Sequence, residues 1–238
     1  MTAANAYRYL VLVGTGAFVL LGASGCRSVP THFYTLMPPP SAEPRAAAAT
    51  APLQVEILPV SVPPQVDVPQ LVVRRGGEEV VPVDTRRWVA PLSAQLRVVL
   101  AADLHDAIGA RDVYGLPHAA GAPLYQVQVN VQRFDSVLGG NADIDALWSV
   151  TDEADRSRSL TCSSRASVPV GAGYDDLVGG HQRALAEIAQ QIGAAVTALQ
   201  RTAPQGGAKQ GSTKQDGTRQ DSAQEQRAAL PDCPTARR

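Results

Sequence analysis

The chain has 238 residues with 21 Lys or Arg against 22 Asp or Glu, a formal net charge of −1. So even a balance gives no electrostatic ground for a nucleic-acid partner. Hydrophobic residues make up 45% of the sequence, enough for one domain with a real core once an exported leader and unstructured ends are set aside.

The first element is the uncharged run Tyr9 to Cys26, YLVLVGTGAFVLLGASGC, which follows Arg8. Its apolar part, Tyr9 to Gly22, is shorter than the roughly 20 residues a spanning helix needs. A basic start, an apolar middle and a small-residue end predict a signal peptide over 1–25. Ala23-Ser24-Gly25-Cys26 resembles a bacterial lipobox, with Ala23 where Leu is usual. The Cys26 thiol would then be acylated and become the first residue after cleavage. Ala23 and Gly25 also offer a small-x-small site to ordinary signal peptidase, which would release the protein. Arg27 follows, with no Asp to suggest inner-membrane retention, so a lipidated chain is expected at the outer membrane.

Residues 26–52 are expected to be a lipidated N-terminus and flexible linker, given Pro38-Pro39-Pro40 and the Ala-rich stretch after them. Within it, His32-Phe33-Tyr34-Thr35-Leu36 could add an edge strand to the domain or be a sticky part of the tether. A domain is expected over 53–201. Leu53 to Val62 is a strand candidate ended by Pro63-Pro64. Gly76-Gly77 between Leu71–Arg74 and Glu79–Val83 predicts a hairpin, with Arg74 and Arg75 facing Glu78 and Glu79. Asp84 or Thr85 can cap a helix whose apolar stripe is Trp88, Leu92, Leu96, Val99, Leu100, Leu104 and Ile108. Pro91 favours a start near itself, and Gly109 a stop.

Gly115 to Pro123 is expected to be loop. Leu124–Phe134 alternates Tyr125, Val127, Val129 and Val131 with Gln126, Gln128, Asn130 and Gln132, which predicts a strand with one apolar face. Ile144, Ala146, Trp148 and Val150 repeat the pattern, and Leu160, Cys162, Ser164, Ala166 and Val168 do so again. A last helix is expected from Asp175 or Asp176, with Leu177, Ala184, Leu185, Ile188, Ile192, Val196 and Leu199 on its apolar face. Gly179-Gly180 and Gly193 weaken it by about 1 kcal/mol each. Residues 202–238, rich in Gln, Gly, Lys and Ser, are expected to be a disordered tail. The fold class is therefore α+β, an antiparallel sheet with two helices packed on one face.

Chemistry-bearing motifs are sparse. His32, His105, His118 and His181 have no metal-ligand spacing, and no nucleophile elbow, P-loop or dinucleotide fingerprint follows the leader. No catalytic or metal residue and no cofactor is expected. Asn141, Asp143 and Asp145 begin like a calcium loop, but Ala146 replaces its Gly and Asp152 its final Glu, so a polar turn is the expectation. His181 is expected to pack half-buried, and Asp152, Glu153 and Asp155 to form a solvated turn. With Cys26 assigned, Cys162 and Cys233 have one possible pairing; the alternative is a small buried strand residue and an exposed tail thiol.

Taken in order, these pieces resemble a known family. They are the lipobox, Phe33-Tyr34-Thr35-Leu36, Val55-Glu56-Ile57-Leu58-Pro59-Val60-Ser61-Val62-Pro63 and Pro69-Gln70-Leu71-Val72-Val73-Arg74. Arg87-Trp88-Val89-Ala90-Pro91-Leu92 and Val131-Gln132-Arg133-Phe134-Asp135 follow, before a strand with Trp148. The set is similar to the ABC-type transport auxiliary lipoproteins, the PqiC-like family, over about Cys26 to Gln200. Val68 stands where that family commonly has Arg before Pro-Gln, so no role of that Arg carries over. The resemblance implies a non-enzymatic periplasmic lipoprotein of an intermembrane lipid transport system. It would be anchored at the outer membrane through Cys26, docked on a protein with mammalian-cell-entry (MCE) domains, and assembled as a homo-oligomer. Phe33, Tyr34, Arg74 and Arg87 are the candidate partner-binding residues, and Trp88 is expected in the core.

Overall fold

The computed structural model describes residues 29–38, 53–119, 121–203 and 232–234. The signal peptide, Cys26 and most of the expected tail lie outside the described residues. The chain divides into units 1–31 and 32–238, and the account below concerns the second. Its elements in order are β1 (His32–Tyr34), β2 (Gln54–Ile57), β3 (Gln70–Arg74), β4 (Val80–Trp88), α1 (Leu92–Ile108), β5 (Arg111–Asp112), β6 (Leu124–Ser136), β7 (Asn141–Asp152), β8 (Ser159–Pro169) and α2 (Tyr174–Arg201).

The three alternating runs form an antiparallel meander in which Val129 pairs with Trp148 and Trp148 with Cys162. Because side chains alternate across a strand, Tyr125, Val127, Val129, Ile144, Ala146, Trp148, Val150 and Ala166 share one buried face. β2 joins this sheet parallel to both β6 and β5, giving the order β5-β2-β6-β7-β8. The short β5 falls just before the expected loop; two residues are too few to leave a periodic signal.

Both apolar helix stripes are buried: Leu92, Leu96, Val99, Leu100 and Leu104 of α1, and Leu177, Ala184, Leu185, Ile188, Ile192, Val196 and Leu199 of α2. The helix glycines serve packing. A Cβ on Gly193 would stand 3.1 Å from Ile108 Cγ2 on α1, and one on Gly180 would stand 2.2 Å from Val170 Cγ1 and 2.9 Å from Ala142 Cβ. The propensity they cost is offset by the close approach they allow. One polar chain crosses this layer: Trp148 Nε1 donates to Ser164 Oγ at 2.7 Å, and Ser164 Oγ donates to Gln191 Oε1 at 2.7 Å.

The sheets are mostly antiparallel and the class is α+β, but β1, β4 and β3 form a second, three-stranded sheet. Residues expected to open a helix instead lengthen β4, which runs through Asp84 and Thr85 to Trp88. α1 begins after Pro91, and Gln95 Nε2 donates to Ala90 O nearby. Trp88 fits the helical stripe by spacing alone; the proline imposes the later start. A second boundary also moves. β1 pairs parallel with β4, and Leu36 is fully buried with its N–H donating to Gln95 Oε1. The folded unit therefore begins at His32, not residue 53.

Candidate functional site

The small sheet carries all four residues expected to meet a partner. Gly76 and Gly77 turn β3 into β4 with φ of 63° and 39°, a conformation open to Gly. Among the described residues Arg74 and Arg75 make no ion pair with Glu78 or Glu79, which leaves the ordinary solvated hairpin tip, and Arg74 reaches across to β6. Its Nη2 donates to Asp135 Oδ1 and Oδ2 at 2.9 and 3.1 Å. Tyr34 turns inward, its ring centroid 6.3 Å from that of Tyr174, and burial raises its pKa. The Arg86 guanidinium lies 5.0 Å from the Tyr174 centroid. Phe33 and Arg87 sit opposite each other in register. Phe33 is 66% exposed and Val89 beyond it 62%, whereas Trp88 is buried edge-on against Phe134. Of the four candidates, Tyr34 and Arg74 are tied into the fold, Phe33 stands in solvent, and Arg87 is half-buried with its Nε donating to Asp84 O at 3.3 Å.

Between β3 and the end of β6 lies an open cleft of about 350 Å³, lined among others by Val72, Arg74, Val80, Arg133, Asp135 and Ser136. Its arginines and Asp135 are already paired. Arg133 Nε donates to Asp145 Oδ2 at 2.9 Å, which raises the Arg133 pKa, and Arg165 Nε donates to Asp145 Oδ1 at 3.2 Å. Asn141, Asp143 and Asp145 stand on strand β7, where Arg133 and Arg165 supply the positive charge a calcium ion would have brought. Among the described residues no cluster of ligating side chains could hold a metal.

Ser136 at the cleft's edge meets His181 of α2, Oγ to Nε2 at 2.8 Å. The expectation of a half-buried His181 is corrected: it is 1% exposed, stacked on Phe134 with centroids 3.9 Å apart. A serine beside a histidine raises the question of nucleophilic catalysis. Burial lowers the His181 pKa to about 3, and Nδ1 has no hydrogen-bond partner to orient the ring. Such a ring is a poor proton acceptor at neutral pH. The pair acts as a buried polar tie between sheet and helix.

Asp152 is also not part of a solvated turn. It is buried and paired with Arg158 at 3.2 Å, and Arg158 in turn donates to Leu199 O at the end of α2. Glu153 and Asp155 remain in the turn beside it, hydrogen-bonded to Arg156 and Ser157. Cys162 of β8 is joined to Cys233 by a disulfide, so a short piece of the C-terminal segment lies against β8. Alternation found the buried face of β8 but held no information about whether Cys233 would come within bonding distance of it.

No helix among the described residues is long and apolar enough to cross a membrane. None of the curated proteins compared is similar enough to count as a match. A crystal structure of an uncharacterized protein has a TM-score of 0.54 at 18% identity, covering 70% of this chain and 98% of that one. A protein from Xanthomonas campestris gives 0.51 at 16% identity, with 72% and 95% covered. At such identities the likeness shows the fold alone. The family described as ABC-type transport auxiliary lipoprotein component matches residues 34–193, from the end of β1 into the last turns of α2. With well over half of its length matched, the chain belongs to that family of transport-associated lipoproteins.

Proposed function

We propose that this protein is a non-enzymatic periplasmic lipoprotein of an MCE-type intermembrane lipid transport system. Acyl chains on Cys26 hold it at the outer membrane, and the folded unit, in one or several copies, docks the transport assembly there. The observation that carries this reading is the family match over residues 34–193, which begins eight residues after the lipobox cysteine. A single acyl chain binds a membrane only marginally, so durable anchoring rests on several.

The main alternative is a domain that carries lipid itself. Carriage needs an apolar cavity between sheet and helices, and that layer is occupied. Ile144, Leu185, Ile188, Ile192 and Val196 are at most 1% exposed, and Gly180 and Gly193 sit where even a methyl group would press on its neighbours. The described cleft lies outside this layer, beside the Arg74–Asp135 and Arg133–Asp145 pairs. Docking therefore fits the packing better than carriage. The test is co-purification of the full chain from bacterial membranes. An MCE-domain protein in the eluate supports the proposal; membrane localisation with no such protein leaves an envelope-stabilising lipoprotein instead.

A further inference from the structure

Starting from Cys26 as the lipidated residue, the fold limits how far the domain can stand from its anchor. β1 opens at His32, already paired with Arg86 of β4. Only Arg27 to Thr31 separate it from Cys26. Six Cα steps at full extension reach about 20 Å. The β3–β4 hairpin alone rivals that length, because Val80 lies six residues before Arg86 along β4, about 20 Å of strand. The Pro- and Ala-rich stretch between β1 and β2 adds no reach, since it begins after a strand already held in the fold.

The far end of the unit is out of range. α2 runs from Tyr174, beside Tyr34, to Leu199, which accepts a hydrogen bond from Arg158. Those residues are 25 helical positions apart, about 38 Å. Cys26 is held within about 20 Å of His32, so the small sheet is the part of the unit beside the anchor, and the β7–β8 turn lies a helix length beyond it.

We propose that the exposed side of the small sheet, carrying Phe33, Arg87 and Val89, rests against the lipid headgroup layer of the membrane that holds Cys26. Phe33 and Val89 are large apolar side chains left in solvent by the fold, and Arg87 faces Phe33 across the strand pair. An apolar body with a guanidinium beside it suits the interface between acyl chains and headgroups. This inference rests on the anchor reading and moves Phe33 and Arg87 from a protein partner to the bilayer. It leaves the β7–β8 end to face the periplasm and the transport assembly.

The experiment places a tryptophan at either end of the lipidated full chain, Phe33→Trp or Arg156→Trp, in vesicles containing brominated phospholipid. Trp88 and Trp148 are buried and common to both proteins. Loss of the added emission for Phe33→Trp, with none for Arg156→Trp, is the expected result. Equal quenching of the two, or none for Phe33→Trp, overturns the inference while the anchor stands. A wild-type chain that is recovered from cells with no lipid on Cys26 overturns the anchor reading, and the inference with it.

Discussion

In the five-stranded sheet, buried and exposed residues alternate with few exceptions along β6, β7 and β8, and the buried face is sealed by two helices. In the three-stranded sheet, β1 is three residues long, β4 buries no residue before Trp88, and Phe33 and Val80 are left exposed. The first region has the regularity of a packed core. The second has the irregularity and uncovered apolar groups of a surface that meets something else. One protein thus holds a layer whose residues answer to packing, and a smaller one whose outward residues are left out of it.

The difference is broken most severely from the core side. Trp148→Ala removes a fully buried indole and with it the N–H that Ser164 Oγ accepts, leaving Ser164 only its bond to Gln191. A loss of about 3–5 kcal/mol is expected, read as a large drop in the urea midpoint. Gly180→Ala drives a methyl into Val170 and Ala142 and is expected to cost about 1–3 kcal/mol.

Acid sharpens the comparison. His181 has a folded pKa of about 3 against 6.5 for the free side chain. The unfolded chain therefore binds a proton that the folded one refuses. Its contribution is full above pH 6.5 and is lost as pH falls toward 3, by up to about 1.4 kcal/mol per pH unit. Asp103 works in the other direction. Burial, with Asp106 nearby, pushes its carboxyl up to about 6, so its contribution is present below 3.8 and is lost as pH rises through 6. Urea midpoints from pH 7 to pH 4 are expected to fall more steeply in Asp103→Asn than in the wild type, and less steeply in His181→Gln. Smallest of all, Phe33→Ser on the small sheet is expected to change stability by no more than about 0.5 kcal/mol.

Legibility in the sequence followed the same division. Tyr125-Val127-Val129-Val131 and the stripe from Leu177 to Leu199 announced their elements because a single period ran through each of them. The small sheet had no such period. Trp88 stands at helical spacing from Leu92 and so reads as the first residue of a stripe, although the proline between them divides strand from helix. His32–Tyr34 gave only a three-residue hint, and its place in the fold depends on Arg86–Trp88, more than fifty residues away. Arg74 offered a local partner in Glu78 and found a distant one in Asp135. Burial of His181 and Asp152 likewise came from elements packed across the fold, which composition near either residue did not signal.

The central claim is attachment: a folded unit held at the outer membrane by Cys26 and bound there to a transport assembly. Separation of inner and outer membranes from cells carrying the full chain, with Cys26→Ala beside it, tests this most directly when co-purifying proteins are identified in the same fractions. The expected result is wild-type protein in the outer membrane together with an MCE-domain protein, and release of Cys26→Ala from the membrane. Protein that fractionates the same way with and without Cys26, or that comes down alone, would contradict it.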